Sequence, residues 1–176
     1  TLHSGMYGGP LPDSTIAIIR LLASLTDVKR SVAISGLNSV STVGPELSDE
    51  EYAHVAGLLP GVERLGTKSV TQQIWGEPAV TVIGLDLPAV DVASNTAQPA
   101  IRAKISLRLA PSQDPQSGLE ALRNHLLSHK PVGAELEFGR HETGPGYLAK
   151  DGWAAKLDHE AFSAAWPNPS VNMGIG

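Results

Sequence analysis

The chain has 176 residues and a mass of 18.4 kDa, enough for one domain or one domain with a docked appendage. With 41% hydrophobic and 18% charged residues, the chain can bury a core. Since only 5% of the residues are aromatic, that core is expected to be mostly aliphatic. The lack of cysteine excludes disulfides, thiolate zinc sites and a cysteine nucleophile in this sequence. A net charge of -5 argues against nucleic acid as a partner, and no run reaches the roughly 20 apolar residues of a membrane helix.

The first third of the chain predicts one amphipathic helix between loops. Residues 3–10 form a glycine-rich stretch that we interpret as a loop. A helix follows with Asp13 or Ser14 as its cap, and its apolar residues recur at helical spacing (Ile18, Leu21, Leu22 and Leu25). Residues 31–44 are typical of a loop, in which Val32–Ile34 could form a short strand.

Two shorter helices are predicted next. Ser48 and Glu51 have the spacing of a capping box, which opens a helix to about Leu59 before Pro60-Gly61 closes it. Residues 69–75 predict a further helical turn.

The second half predicts strands and helices in alternation. Residues 79–87 predict a strand, 88–99 a loop, and 101–109 a strand whose apolar and polar residues alternate strictly. Asp114-Pro115 opens a helix that ends near His129-Lys130, a further alternating strand covers 133–141, and a last amphipathic helix covers 151–166. The unit from 101 to 141 is therefore strand, helix, strand, and the two halves together suggest a βαββαβ sandwich of the α+β class.

Several polar side chains are candidates for chemistry, each with an ordinary structural alternative. His125 and His129 have the i, i+4 spacing of a metal pair, but no third ligand follows at a recognisable offset, and a cation is favoured at a helix C-terminus anyway. His3 on the glycine loop is available to a ligand or is an ordinary surface histidine.

Three cations share the polar face of the strand at 101–109. Arg102 and Lys104 are expected to pair with Glu135 and Glu137 if the two alternating strands are neighbours. Arg108 lies further along, where it either joins that pairing or holds a carboxylate in its planar fork.

Four short motifs follow one another along the chain. They are His-Ser-Gly-Met-Tyr-Gly-Gly at 3–9, Trp-Gly-Glu-Pro-Ala-Val at 75–80, Ser-Asn-Thr-Ala-Gln-Pro at 94–99 and Ala-Lys-Ile-Ser-Leu-Arg-Leu-Ala-Pro at 103–111. In this order and spacing they resemble the carnosinase-type dipeptidases of the di-zinc aminopeptidase and deacylase superfamily. The terminal Met-Gly-Ile-Gly at 173–176 resembles the start of that family's glycine-rich substrate loop. The resemblance thus covers nearly the whole chain.

The resemblance implies a fold and a place within a longer enzyme. It implies a ferredoxin-like βαββαβ sandwich, an antiparallel sheet with two helices on one face, and leaves open that the sheet lacks the first strand, which the family places before His3. Residues 1–148 would be the lid or dimerisation domain, and 149–176 the start of the returning catalytic domain. The family's metal-ligand motifs do not occur in this sequence, so the two zinc ions are expected in the parent's catalytic domain and the chain is expected to be inactive alone.

The resemblance also implies roles for four residues. His3 would stabilise the oxyanion in a partner subunit's active site, and Arg108 would hold the substrate's C-terminal carboxylate. Asn95 and Thr96 would be polar contacts on their loop, which departs from the family at Ala97-Gln98, where an aliphatic pair is usual. A cytoplasmic homodimer acting on a dipeptide is expected, without a nucleic acid or membrane partner.

Two alternatives stay open on the sequence alone. The first is a free-standing ferredoxin-like module with a ligand-binding or regulatory function. Such a module would have no use for the helix at 151–166 and the glycine segment after it. The second is the lid of an N-acyl amino acid deacylase of the same superfamily, against which the Tyr7 and Gly8-Gly9 pattern favours the dipeptidase branch.

Overall fold

The computed structural model describes residues 2–42, 44–149 and 152–174. Along these ranges the chain forms, in order, β1 (Leu2–His3), α1 (Ser4–Tyr7), α2 (Ser14–Ala23), α3 (Asp49–Ala56), α4 (Val70–Trp75), β2 (Ala79–Leu85), a 3-10 turn (Val90–Val92), β3 (Thr96–Ala97), β4 (Ala103–Arg108), α5 (Pro115–Ser128) and α6 (Trp153–Ala165). The predicted helices all form within a few residues of their expected ends. The mixture of helices with antiparallel strands confirms the α+β class.

The helices begin where the sequence supplies side chains that accept from the free backbone N–H groups. The Asp13 carboxylate accepts from two N–H groups at the start of α2. Ser48 and Glu51 form both halves of the predicted capping box on α3. Asp114 caps α5, with Pro115 in the first turn, where a missing N–H costs nothing.

The larger sheet is an antiparallel pair of the two strands that the sequence predicts most clearly. β2 runs against β4, with Ala79 opposite Arg108 and Leu85 opposite Ala103, and the register shifts between Val82 and Gly84. Such a shift is typical of a β-bulge, which increases the local twist of the strand.

The core lies between one face of this sheet and two helices. Leu21 and Leu25 from α2 and the loop that follows it are buried against Ile34 and against Leu126 of α5. The sheet contributes side chains from its inward face to the same cluster (Val80, Ile105 and Leu107). Residues of two helices therefore pack against one face of the sheet.

The predicted strand at 133–141 does not form. No residue of this segment is in a strand, although Ala134 and Leu136 remain half-buried between more exposed neighbours, and Leu136 packs on the core. A strand requires a hydrogen-bonded neighbour, and in a βαββαβ layout the last strand lies beside the first. No neighbour pairs with residues 133–141 in the described ranges, so the four-stranded layout is not seen there.

Buried amide and hydroxyl groups hold the extended segment that leads to α3. Gln113, only 5% exposed, accepts from the Asn38 N–H at 2.6 Å and donates to the Gly36 carbonyl at 2.9 Å. Thr71, 1% exposed, donates to the Pro45 carbonyl at 2.8 Å. Val32 makes only an isolated bridge to Thr26, so the short strand considered at Val32–Ile34 does not form. Within the described ranges no helix is long and apolar enough to cross a membrane.

Candidate functional site

The start of the chain pairs with a loop more than ninety residues away in sequence. β1 is antiparallel to β3, with Leu2 opposite Ala97 and His3 opposite Thr96. Both segments were predicted as loops, and that prediction was wrong because a two-residue strand has no periodicity to detect. The pairing brings three of the four predicted site residues, His3, Asn95 and Thr96, into one group.

The His3 side chain is oriented by the backbone that follows it. Its Nδ1 accepts from the Gly5 N–H at 3.1 Å, which makes His3 the N-cap of α1. An Nδ1 that accepts a hydrogen bond carries no proton, so the neutral ring has its N–H on Nε2. The imidazole of His3 is exposed, and it therefore presents a hydrogen-bond donor to its surroundings.

The loop beside His3 is held at three points. The Ser4 N–H and hydroxyl both donate to the Asn95 carbonyl, at 2.9 and 3.2 Å. The Ser94 hydroxyl donates to Thr96 Oγ1 at 3.0 Å. The Ser14 hydroxyl donates to the Gln98 carbonyl at 2.6 Å, so the Ala97-Gln98 departure is anchored through backbone atoms, whose contacts do not depend on an aliphatic side chain.

Arg108 lies apart from this group. It is the last residue of β4, it is exposed, and it lies opposite Ala79 of β2. Within the described ranges its guanidinium forms no ion pair. The structure thus places Arg108 on the sheet and His3, Asn95 and Thr96 on the β1–β3 pair, and no hydrogen bond joins the two places in the described residues.

The expected partners of Arg102 and Lys104 were wrong. Arg102 Nε lies 2.7 Å from the Asp86 carboxylate, across the β2–β4 pair, and Lys104 lies opposite Gly84. Glu135 and Glu137 are not on a neighbouring strand, because the strand that would carry them does not form. The Arg102 side chain is 89% exposed, so this ion pair contributes little to stability.

His125 and His129 form a packing contact at the end of α5. Their rings stack with centroids 4.0 Å apart. The Ser24 hydroxyl donates to the Leu21 carbonyl, so Ser24 Oγ accepts from His125 Nε2 at 3.1 Å. His129 Nδ1 donates to the His125 carbonyl at 2.9 Å. One nitrogen of each stacked ring is thus hydrogen-bonded to protein, and no cluster of three or more His, Asp or Glu occurs in the described part of the chain.

Burial favours the neutral form of the His125 imidazole. This side chain is 8% exposed. Desolvation first, and then the charge of His129, lower the pKa of His125 from its ordinary value, because both disfavour the imidazolium.

Two cavities occur away from the predicted site residues. One, of about 330 Å³, is lined by Phe162, Trp166, Pro167, Asn168 and Ser170. The other, of about 420 Å³, lies beside α3 around Tyr52 and Arg64. Neither is lined by His3, Asn95, Thr96 or Arg108; of these four residues, His3, Asn95 and Arg108 are exposed and Thr96 is half-buried.

Comparisons with known proteins give one consistent result, although no family model matches the chain. Over 139 residues it is 30% identical to the cysteinylglycine-S-conjugate dipeptidase of Corynebacterium striatum, a match that covers 77% of this chain and 30% of that protein. It is 26% identical over 137 residues to the Cys-Gly metallodipeptidase of Saccharomyces cerevisiae, covering 70% of this chain and 28% of the relative. The homologues of this chain are metallodipeptidases. The family resemblance of the four motifs is thereby confirmed.

Solved metallopeptidases share the fold. Human carnosine dipeptidase 1 superposes with a TM-score of 0.70 at 19% identity, covering 96% of this chain and 39% of that structure. An M20 family metallo-carboxypeptidase from Sulfolobus solfataricus superposes with a TM-score of 0.57 at 22% identity, covering 73% of this chain and 36% of that structure. The chain therefore spans about a third of the length of the metallodipeptidases that it matches.

The sequence patterns did not predict two long-range contacts of this structure. Ser4 ties the His3 segment to Asn95, and Trp75 lies against the C-terminal glycine segment. Neither contact has a local sequence signal, because each joins residues that only the tertiary fold brings together.

Proposed function

We propose that this chain is the lid and dimerisation domain of a zinc-dependent dipeptidase, with residues 1–148 as the lid and 149–176 as the start of the returning catalytic domain. The observation that carries the proposal is the β1–β3 pairing, which places His3 beside Asn95 and Thr96. The similarity to two Cys-Gly dipeptidases supports the reaction class.

His3 has the chemistry of an oxyanion donor. Because its Nδ1 accepts from the Gly5 N–H, the neutral ring carries its one N–H on Nε2, at the exposed side of the imidazole. A preorganised donor of this kind stabilises the charge that develops on a carbonyl oxygen in the transition state. In the proposed dimer that oxygen belongs to a substrate bound by the partner subunit, which agrees with the exposure of the ring.

Arg108 and the 94–98 loop supply the remaining contacts in this proposal. An exposed guanidinium at the end of a strand is free to bind a carboxylate through two parallel hydrogen bonds, so Arg108 would select the C-terminal end of the dipeptide. Asn95 and Thr96 would contact polar groups of the substrate next to His3.

In this proposal, the zinc ligands belong to the catalytic domain of the whole enzyme. The family implies two zinc ions, but the described residues bring together no group of three or more His, Asp and Glu. The described residues do not fit a zinc pair, and this chain is proposed to act on substrate binding, closure and oxyanion stabilisation. A cytoplasmic homodimer completes the proposal.

Hybrid dimers test the trans arrangement. Subunits of the whole enzyme with His3→Ala are mixed with subunits that keep His3 but have a disabled metal site. A hybrid then pairs one intact His3 with one intact metal site, so we expect about half of one native dimer's activity to return, since one of two sites is rebuilt. If a mixture shown to contain hybrids stays inactive, His3 does not act in a partner's site.

A deacylase lid is the second candidate. Its substrate would also carry a free carboxylate for Arg108, so this residue does not separate the two. Hydrolysis of dipeptides compared with N-acyl amino acids by the whole enzyme does, and the Cys-Gly dipeptidases among the homologues favour the dipeptide.

A further inference from the structure

Trp75 lies against two glycines from distant parts of the chain. A Cβ placed on Gly174 would lie 2.5 Å from Trp75 Cγ and 2.6 Å from Cδ1, and one placed on Gly44 would lie 2.7 Å from Trp75 Cζ3. Atoms cannot approach this closely without a shift, so the indole requires glycine at both positions. The half-buried Trp75 thus fits between the segment that leads to α3 and the C-terminal segment.

A histidine on α6 fixes the same segment from its other side. His159 Nε2 lies 3.0 Å from Asn172 Oδ1, and its Nδ1 contacts the Ser170 hydroxyl. A Cβ on Gly44 would also lie 3.1 Å from the Asn172 carbonyl oxygen. Residues 170–174 are therefore held between α6 and the Trp75 indole.

We propose that Trp75 is a positioning residue that docks residues 172–174 and so sets the direction of the glycine-rich loop that follows. The catalytic consequence rests on the proposed function and on the resemblance of residues 173–176 to the start of a substrate loop, whereas the docking itself is a property of this chain. Trp75 ends α4 directly before β2, whose partner strand carries Arg108. One side chain would thus link the loop to the sheet that holds the carboxylate contact.

Tryptophan fluorescence tests the docking on the 176-residue chain. Trp153 and Trp166, 82% and 60% exposed, are replaced by Phe so that Trp75 is the remaining emitter. Removing residues 170–176 should shift the Trp75 emission to longer wavelength and increase its quenching by acrylamide, because water reaches the uncovered indole. Unchanged emission and quenching would overturn the docking.

A double-mutant cycle tests the contact between the two residues. Gly174→Ala should lower the free energy of unfolding of the chain when Trp75 is present, because the new Cβ collides with the indole. Trp75→Ala should also lower it, and adding Gly174→Ala to Trp75→Ala should cause little further loss. Gly139→Ala is the matched control, since no atom lies within 4 Å of a Cβ there. Additive losses would contradict a direct contact.

Kinetics of the whole enzyme test the positioning role. Trp75→Ala should raise KM for a dipeptide about tenfold or more, because misplacing a substrate-positioning element by ~1 Å costs up to about 100-fold. A mere loss of folded protein would lower the apparent kcat and leave KM unchanged, and that result would overturn the role. If the whole enzyme hydrolyses no dipeptide at all, the proposed function fails while the fluorescence and unfolding results still decide the docking.

Discussion

At the scale of the single residue, His3 combines a structural and a chemical use of one imidazole. Its Nδ1 caps α1 by accepting from the Gly5 N–H, and this bond directs the N–H of the neutral ring onto Nε2. The two uses can be separated by substitution, because asparagine is also a good N-cap but has no ring nitrogen at the position of Nε2.

His3→Asn and His3→Ala should lower kcat of the whole enzyme to a similar extent, by ~10²–10³, while KM changes little. The charge on the carbonyl oxygen develops only in the transition state, so the loss appears in kcat. His3→Asn should also keep the α1 cap that His3→Ala removes. Steady-state kinetics with circular dichroism measures both effects, and a His3→Asn enzyme with native kcat would contradict the oxyanion role.

Arg108→Ala should impair the hydrolysis of dipeptides with a free C-terminal carboxylate and leave amidated dipeptides nearly unaffected. A charge-assisted contact contributes about 1.5–3 kcal/mol, so kcat/KM for free substrates should fall by at least about tenfold. Arg102→Ala is the control on the same strand, since its ion pair with Asp86 is exposed and weak. Equal losses on free and amidated substrates would remove Arg108 from this role.

At the scale of elements, the junction of α2 with α5 dominates the core. Leu21 and Leu126 meet there, and His125 reaches across to Ser24 at the end of α2. The two helices are more than ninety residues apart in sequence, and the sheet they share brings them together. The junction should therefore control the stability of the domain.

The stability of the domain should fall as the pH falls below about 6.5. The pKa of His125 is lowered in the folded state by burial and by His129, so its neutral form is favoured in the folded state. Its contribution is present above the unfolded value of 6.5 and is lost as the pH falls through the lower folded pKa. Urea unfolding at several pH values measures this.

A matched pair of variants isolates the histidine in that experiment. His125→Gln keeps a donor for Ser24 and should flatten the pH dependence, whereas His54→Gln on the exposed side of α3 should leave it unchanged. An unaltered pH profile in His125→Gln would assign the effect to other groups.

Leu126→Ala should lower the free energy of unfolding by about 2–5 kcal/mol, because it opens a cavity in the cluster of buried residues. Leu127→Ala, the next residue along α5, should change it by less than about 0.5 kcal/mol. The exposed fractions of 7% for Leu126 and 51% for Leu127 are the reason for the difference. Chemical denaturation of both variants checks the prediction, and equal costs would contradict the helix orientation.

At the scale of the whole molecule, many large apolar side chains are exposed, and β2 and α6 are two examples. On β2, Val82, Ile83 and Leu85 are 41%, 55% and 38% exposed. On α6, Trp153 and Leu157 are 82% and 55% exposed. Soluble domains rarely expose large apolar side chains in contiguous groups without a covering partner. In the proposed enzyme, other parts of the protein or a second subunit would cover these side chains.

The chain should self-associate into a two-fold dimer, in which strand edges and apolar side chains pair with a second copy. Sedimentation at increasing protein concentration should show a rising dimer fraction. Ile83→Lys should weaken it by placing a charge on β2, whereas Val28→Lys, at a position 99% exposed in a loop, should not. A strict monomer at high concentration would contradict the dimerisation role.

The sequence by itself determined the helices α2 to α6, the β2 and β4 strands and the relationship to the dipeptidases, whereas α1 lies in a stretch that it predicted as a loop. Asp13, Ser48 with Glu51, and Asp114 are local signals, since a cap acts on N–H groups two or three residues away. The alternation in β4 is likewise readable without any partner. The order of the four motifs determined the relationship to the metallodipeptidases, which the homologues confirm.

Only the tertiary structure decided which segments meet. It pairs His3 with Thr96 between two strands, and it joins Arg102 to Asp86 in an ion pair. Residues 133–141 form no hydrogen-bonded strand, although their apolar and polar residues alternate. Strand pairing depends on the neighbour that the fold supplies, so the pattern of a single segment cannot predict it. The grouping of His3 with Asn95 and Thr96, and the contact of Trp75 with Gly174, follow from that long-range pairing and packing.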